Sequence, residues 1–307
     1  MNLIAGVIVA SVGLLVAILS IAGILPGLTQ TGVIMILFGG LIIGMSFINR
    51  VPPQEGEVMY TPATLINIFV SPAETFQALR RNPRWLAAAV IIALLGTVYS
   101  GLFMNRVTPE RVANESIDRA LKMSFLNEEA RQQIEAGRQT AIDDMKDPVK
   151  RAGGVVTGFI GQVVWYAFLG LLFFLVVLAF GGSIYYWQAF AVAVYASFPV
   201  AVIRFVLNTL VLYLKDPVDI HPIMGQSSLI QDNLSFLVSS ADSPVLFTLL
   251  ATLSLLMFYW VWLIAVGLKN GGDKVSSSTG WSAALIIYGL ILTFALSMAL
   301  LFPSFIA

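Results

Sequence analysis

The sequence predicts an all-α integral membrane protein with about seven transmembrane helices. Of its 307 residues 58% are hydrophobic and only 11% charged, more apolar surface than a water-soluble domain of this size can enclose. The apolar residues also gather in seven runs, at 3–25, 31–48, 85–104, 154–180, 185–212, 245–268 and 281–303. Each is close to the roughly 20 residues that cross a hydrocarbon core about 30 Å thick at about 1.5 Å per residue. Within all seven runs the one charged side chain is Arg204. The runs lack the inside/outside alternation of a barrel strand, which points to helices.

Residues 1–49 form an N-terminal transmembrane hairpin, turning at Leu25-Pro26-Gly27-Leu28. Met1-Asn2 gives no basic leader region, so the first run reads as a retained helix rather than a signal peptide. Small residues at four-residue spacing, Gly6/Ala10, Gly13/Ala17 and Gly40/Gly44, are expected to let its helices approach closely. The second run, the shortest, could be re-entrant or tilted.

Residues 50–84 read as a linker carrying a short amphipathic helix. Ser71-Pro72-Ala73-Glu74 has the pattern of a capping box, and a helix over about 72–81 ends in Arg80 and Arg81, where cations complement the helix dipole. Arg80, Arg81, Arg84 and Trp85 together predict an interfacial anchor, basic groups at the headgroups and an indole at the boundary. Asn82-Pro83, Thr108-Pro109, Asp147-Pro148, Asp216-Pro217 and Ser243-Pro244 each place a capping residue before proline, a start signal for a helix.

Residues 85–307 hold the remaining five runs, interrupted by one polar insertion at 105–153 that carries nine basic and nine acidic residues. Val112, Ala113, Ile117, Ala120 and Leu121, then Ile134, Ala141, Ile142 and Met145, recur at helical spacing and predict two extramembrane helices. Intermixed charge of this kind usually marks a solvated face.

Arg204 is the leading functional candidate, because an ionisable side chain inside a span is costly and faces water, a partner or the interface. Ser197, Arg204, Asn208 and Lys215 share one side of the fifth run, and Pro199 frees a carbonyl there. This predicts a polar seam able to hold a lipid headgroup or a partner's carboxylate; the structural alternative is an arginine that snorkels to the interface. Asp216, Asp219 and His221 lie close in sequence, but with one His and no Cys neither a metal site nor a cofactor is expected. Disulfides and thiol catalysis are excluded. No nucleophile elbow or phosphate-binding glycine loop is present, and 17 basic against 17 acidic residues give no nucleic-acid footprint.

The stretch Ser71-Pro72-Ala73-Glu74-Thr75-Phe76 with Arg80 to Trp85, the intrahelical Tyr195-Ala196-Ser197-Phe198-Pro199, and Trp260-Val261-Trp262 running to Gly267-Leu268 together resemble the Ypt/Rab-interacting protein (Yip) family, in its divergent bacterial form. The likeness covers the last five runs. The hairpin at 1–49 and the insertion at 105–153 depart from the family's five-helix pattern. The resemblance implies a Yip-like bundle without catalytic activity and a cytoplasmic N-terminus with an extracytoplasmic insertion and C-terminus. A simple count of Lys and Arg on the two faces points the other way, but charges dispersed through a long insertion weigh little.

The sequence therefore predicts a non-enzymatic membrane organiser of a bacterial cytoplasmic membrane, binding lipids and protein partners through Arg204, Asn208, Ser197 and Pro199. The alternative is a small-molecule or ion transporter, which would need a continuous polar path across several helices.

Overall fold

The computed structural model describes residues 2–48, 51–52, 59–123, 126–240 and 242–303. Among these the chain is all-α. The hairpin is α1 (Asn2–Ile21) and α2 (Thr29–Met45). Two short helices follow, α3 (Thr61–Val70) and α4 (Pro72–Arg81), then the membrane helix α5 (Leu86–Val107). The insertion holds α6 (Pro109–Leu121), α7 (Glu128–Ala136) and α8 (Arg138–Lys146). After it come α9 (Pro148–Ala179), α10 (Tyr186–Leu214), the single turn α11 (Met224–Ser227), α12 (Pro244–Thr252), α13 (Leu255–Gly271) and α14 (Ser277–Leu301).

Helices α1, α5, α9, α10 and α14 are each long and apolar enough to cross a membrane. The run at 245–268, expected as one helix, is instead α12 and α13, bent by 51° at Leu253-Ser254. The shortest run is α2, whose 17 residues reach about 25 Å. Residue 49, the far bound of the hairpin, like residues 53–58 of the linker, lies outside the described residues.

Hairpin geometry follows from backbone contact. A Cβ on Gly39 would sit 2.5 Å from the Ala10 amide nitrogen, and one on Gly32 2.6 Å from that of Ala17. The contact face of α1 is the expected Gly6, Ala10, Gly13, Ala17 series. On α2 it is Gly32 and Gly39, because Gly40 and Gly44 point where a Cβ meets nothing within 4 Å. The hairpin turn leans on α9: a Cβ on Gly27 would meet Lys150, and one on Gly153 would meet Leu28 and Thr31.

The first half of α10 is the core. From Tyr186 to Ala196 every residue is buried, against Phe173 and Val177 of α9, Leu263, Ile264 and Leu268 of α13, and Phe76 of α4. The apolar face of α4, Phe76 and Leu79, is thus inside the bundle. The linker also contains α3, unforeseen in sequence, whose Phe69 meets Phe198 edge-on at 5.9 Å. The expected capping box at Ser71 is not formed: no side-chain cap bond is made there, and the Ser71 carbonyl accepts from Thr75 instead. Asn82-Pro83 ends α4 rather than starting the next helix, which begins at Leu86. Asp147 does cap α9, accepting from the Val149 amide at 2.7 Å.

Contacts sort the loops onto two faces. On one, Arg80 pairs with Asp273 at 2.8 Å, Gln77 donates to Asn270, and Ser183 bridges to Lys274. On the other, the insertion meets the α10–α12 connection. Arg106 donates to the carbonyls of Leu212 and Lys215 at the end of α10, and Arg111 to those of Pro217, Val218 and Ile220. The insertion is three helices rather than two, with Gly137 dividing the second stretch. Val112 packs with Tyr99, Phe103, Leu212 and Ile220 as a satellite core.

Gly39→Leu should force α1 and α2 apart, at a cost of about 1–3 kcal/mol, and lower the melting temperature of the detergent-purified protein. Gly40→Leu, one residue along on the open side, should leave it unchanged.

Candidate functional site

Arg204 lies ten residues before the end of α10 at Leu214, about 15 Å below that end by helical rise. Its side chain is exposed, and no hydrogen bond or ion pair engages it among the described residues. Two cavities meet there. One, about 260 Å³, lies between α5 and α10 and is lined by Tyr99, Phe103, Arg204, Asn208 and Gln226. The other, about 500 Å³, lies among α9, α10 and the α12–α13 break, with Tyr166, Ser197, Arg204, Ser254 and Trp260 in its walls.

The expected seam is therefore divided. Ser197 faces the larger cavity, donating to the Ala193 carbonyl at 2.9 Å and accepting from Trp260 Nε1 at 3.1 Å. Pro199, buried, lies inside a helix that continues through it. Asn208 faces the smaller cavity, but its Oδ1 accepts from the amides of Leu229 and Ile230 at 2.9 and 3.1 Å. It pins the α10–α12 connection, and losing it would strand two amides at about 1–3 kcal/mol each. Lys215 stands apart at the helix end, its carbonyl taken by Arg106.

Asp232 was not singled out in sequence and proves central. Its Oδ2 accepts from Ser254 Oγ and from the Leu256 amide at 3.0 Å, while its carbonyl accepts from the Leu255 amide at 3.1 Å. Ser254 Oγ in turn accepts from the Met257 amide. A carboxylate thus occupies the positive end of α13, where orphan amides otherwise invite an anion. Ser254 itself carries a cap signal; Asp232, 22 residues earlier, carries none.

Of the expected anchor residues, Arg80 pairs with Asp273 and its carbonyl accepts from the buried Gln188 at 3.0 Å. Trp85 meets Phe190 edge-on at 4.8 Å, so the indole is half within the bundle. Arg81 and Arg84 are exposed.

The Asp216–His221 turn is held by its own chain. Asp216 Oδ1 accepts from the Val218 amide at 2.9 Å. His221 Nδ1 is 3.1 Å from the Ile223 amide, and its Nε2 is 3.2 Å from Arg119. Among the described residues no three of His, Asp and Glu converge as metal ligands would.

The family model described as "Yip1 domain" matches residues 66–301, more than three quarters of the chain. No curated protein and no solved structure matches it.

Burial first, then the Arg119 charge, holds the His221 pKa below its ordinary 6.5, against the pull of Glu115. A depressed folded pKa means that the unfolded chain binds the proton first as pH falls. The contribution of this contact is therefore present above about pH 6.5 and is lost as pH falls through the folded value. Hydrogen exchange, corrected for intrinsic rates, should show the Ile223 amide losing protection on acidification. His221→Asn, an acceptor that does not titrate, should remove that dependence.

Proposed function

The chain belongs to the Yip1-domain family, and from that premise we propose that it is a non-enzymatic membrane organiser that holds lipids and protein partners at Arg204. The observation that carries this reading is a guanidinium without a partner among the described residues, set where two cavities meet at membrane depth. A charge so placed is costly until it meets an anion or water. A lipid phosphate or a partner's carboxylate satisfies it, and an arginine can grip either with two parallel hydrogen bonds. Ser197 and Asn208 then serve as walls that fix the cavities' shapes.

A transporter is favoured by one observation, the bend between α12 and α13 beside Arg204, since broken helices often mark substrate sites. Two observations weigh against it. The positive end of α13 is already filled by Asp232, and the half of the bundle beyond Ser197 is the apolar core of Tyr186 to Ala196, which leaves no polar route onward among the described residues.

In this reading the host is a bacterial cytoplasmic membrane, with α3 and α4 inside and the insertion outside. The chain has no cysteine, so single cysteines report sidedness cleanly. On intact cells an impermeant maleimide should label Gln139→Cys and spare Gln77→Cys; the reverse pattern inverts the orientation.

Native mass spectrometry after gentle extraction should find lipid or protein subunits on the wild type and lose them in Arg204→Leu, with Arg204→Lys intermediate. Equal retention in all three would remove Arg204 from the site. Substrate flux in proteoliposomes that Arg204→Leu abolishes would favour the transporter.

A further inference from the structure

A third cavity, the largest of the three at about 830 Å³, lies between α5 and α9; it shares Ile92, Gly96 and Ser100 with the smaller Arg204 cavity but is not lined by Arg204 itself. Gly96 and Gly101 of α5 and Gly154 and Gly158 of α9 border it. A Cβ on any of these four would meet nothing within 4 Å. Their effect differs from that of the hairpin's glycines: with no side chain to fill the space between two neighbouring membrane helices, they leave a groove open. At its deep end Gln162 Nε2 donates to the Ala89 carbonyl at 3.0 Å and ties α9 to α5.

The groove has a direction and a charged mouth. It runs along α9 from Lys150 to Gln162 and along α5 from Met104 to Ile92. By helical rise both are about 18 Å, close to the ~15 Å of one leaflet's hydrocarbon. Lys150, Arg151 and Asp144 stand at the insertion end. Lys150 is paired with Asp144, whereas exposed Arg151 has no partner among the described residues. The lining therefore carries one uncompensated positive charge at headgroup level above an apolar, leaflet-deep slot.

We propose that this crevice binds one anionic phospholipid of the leaflet on the insertion's side, its phosphate on Arg151 and an acyl chain laid between the glycine faces of α5 and α9. The inference shares with the organiser reading the premise that the protein holds lipid, but it names a second site and a lipid class that the Arg204 reading does not require.

The test is native mass spectrometry of the full chain in a neutral detergent, titrated separately with phosphatidylglycerol and phosphatidylcholine. Wild type should retain phosphatidylglycerol more strongly, and Arg151→Gln should weaken that retention about five-fold, the effect of one basic group near a lipid surface. Gly158→Leu enters the slot from a position where a Cβ meets nothing within 4 Å. It should abolish retention of the first lipid while leaving the melting temperature unchanged. Arg204→Leu separates the two sites. Retention lost in Arg204→Leu but kept in Arg151→Gln and Gly158→Leu overturns the crevice and leaves the Arg204 reading standing. Loss in the latter two alone supports the crevice against the Arg204 site. A wild type that holds the two lipids equally overturns the proposal outright.

Discussion

Inside a bilayer no water is available to an unpaired backbone group, so any departure from regular helix at membrane depth must be satisfied by the chain itself. The architecture here follows from that constraint. The break between α12 and α13 leaves the first amides of α13 without helical partners, and Asp232 with Ser254 takes them up. The connection that delivers Asp232 must itself be held in place, and Asn208 does so by accepting two of its amides. At the end of α10 the last carbonyls receive Arg106. Remove these polar contacts and the connection has no reason to occupy its present position, nor has the cavity beside Arg204 its present wall.

Apolar burial alone cannot arrange such helices, since lipid tails are as apolar as leucine. Close approach and open space do the arranging, and glycine supplies both. At Gly32 and Gly39 the backbones of α1 and α2 come so near that a single methyl group would collide. At Gly96, Gly101, Gly154 and Gly158 no neighbour approaches, and the missing side chains become the volume of a groove. Sequence spacing does not separate these two uses. Gly40 and Gly44 have the four-residue spacing associated with contact, yet both point away from it.

What was legible in the sequence was local. Hydropathy located the membrane helices because a span's apolar character belongs to its own residues, and of the seven Ser/Thr/Asn/Asp-Pro pairs four begin α-helices at the proline itself, at Pro72, Pro109, Pro148 and Pro244. Arg204 stood out as the one charge within the runs. What the sequence does not show depends on distant partners. Arg80 meets Asp273, 193 residues away. Asn208 accepts from the amides of Leu229 and Ile230. Helix α3 is not announced by its sequence: it is ten residues long, short enough to read as linker, and Tyr60 precedes it without a side-chain cap bond.

Most basic residues of the insertion divide by what they touch. Arg106, Arg111 and Arg131 donate to backbone carbonyls, while Arg119, Arg138, Lys146 and Lys150 meet carboxylates. These charges hold the fold. Arg151 and Arg204 are different, lining cavities with no partner among the described residues. Their cavities flank one helix: the glycine groove and the smaller Arg204 cavity share Ile92, Gly96 and Ser100 of α5. The two spaces are thus walled in part by the same turns of α5, so that a side chain added at Gly96 would bear on both.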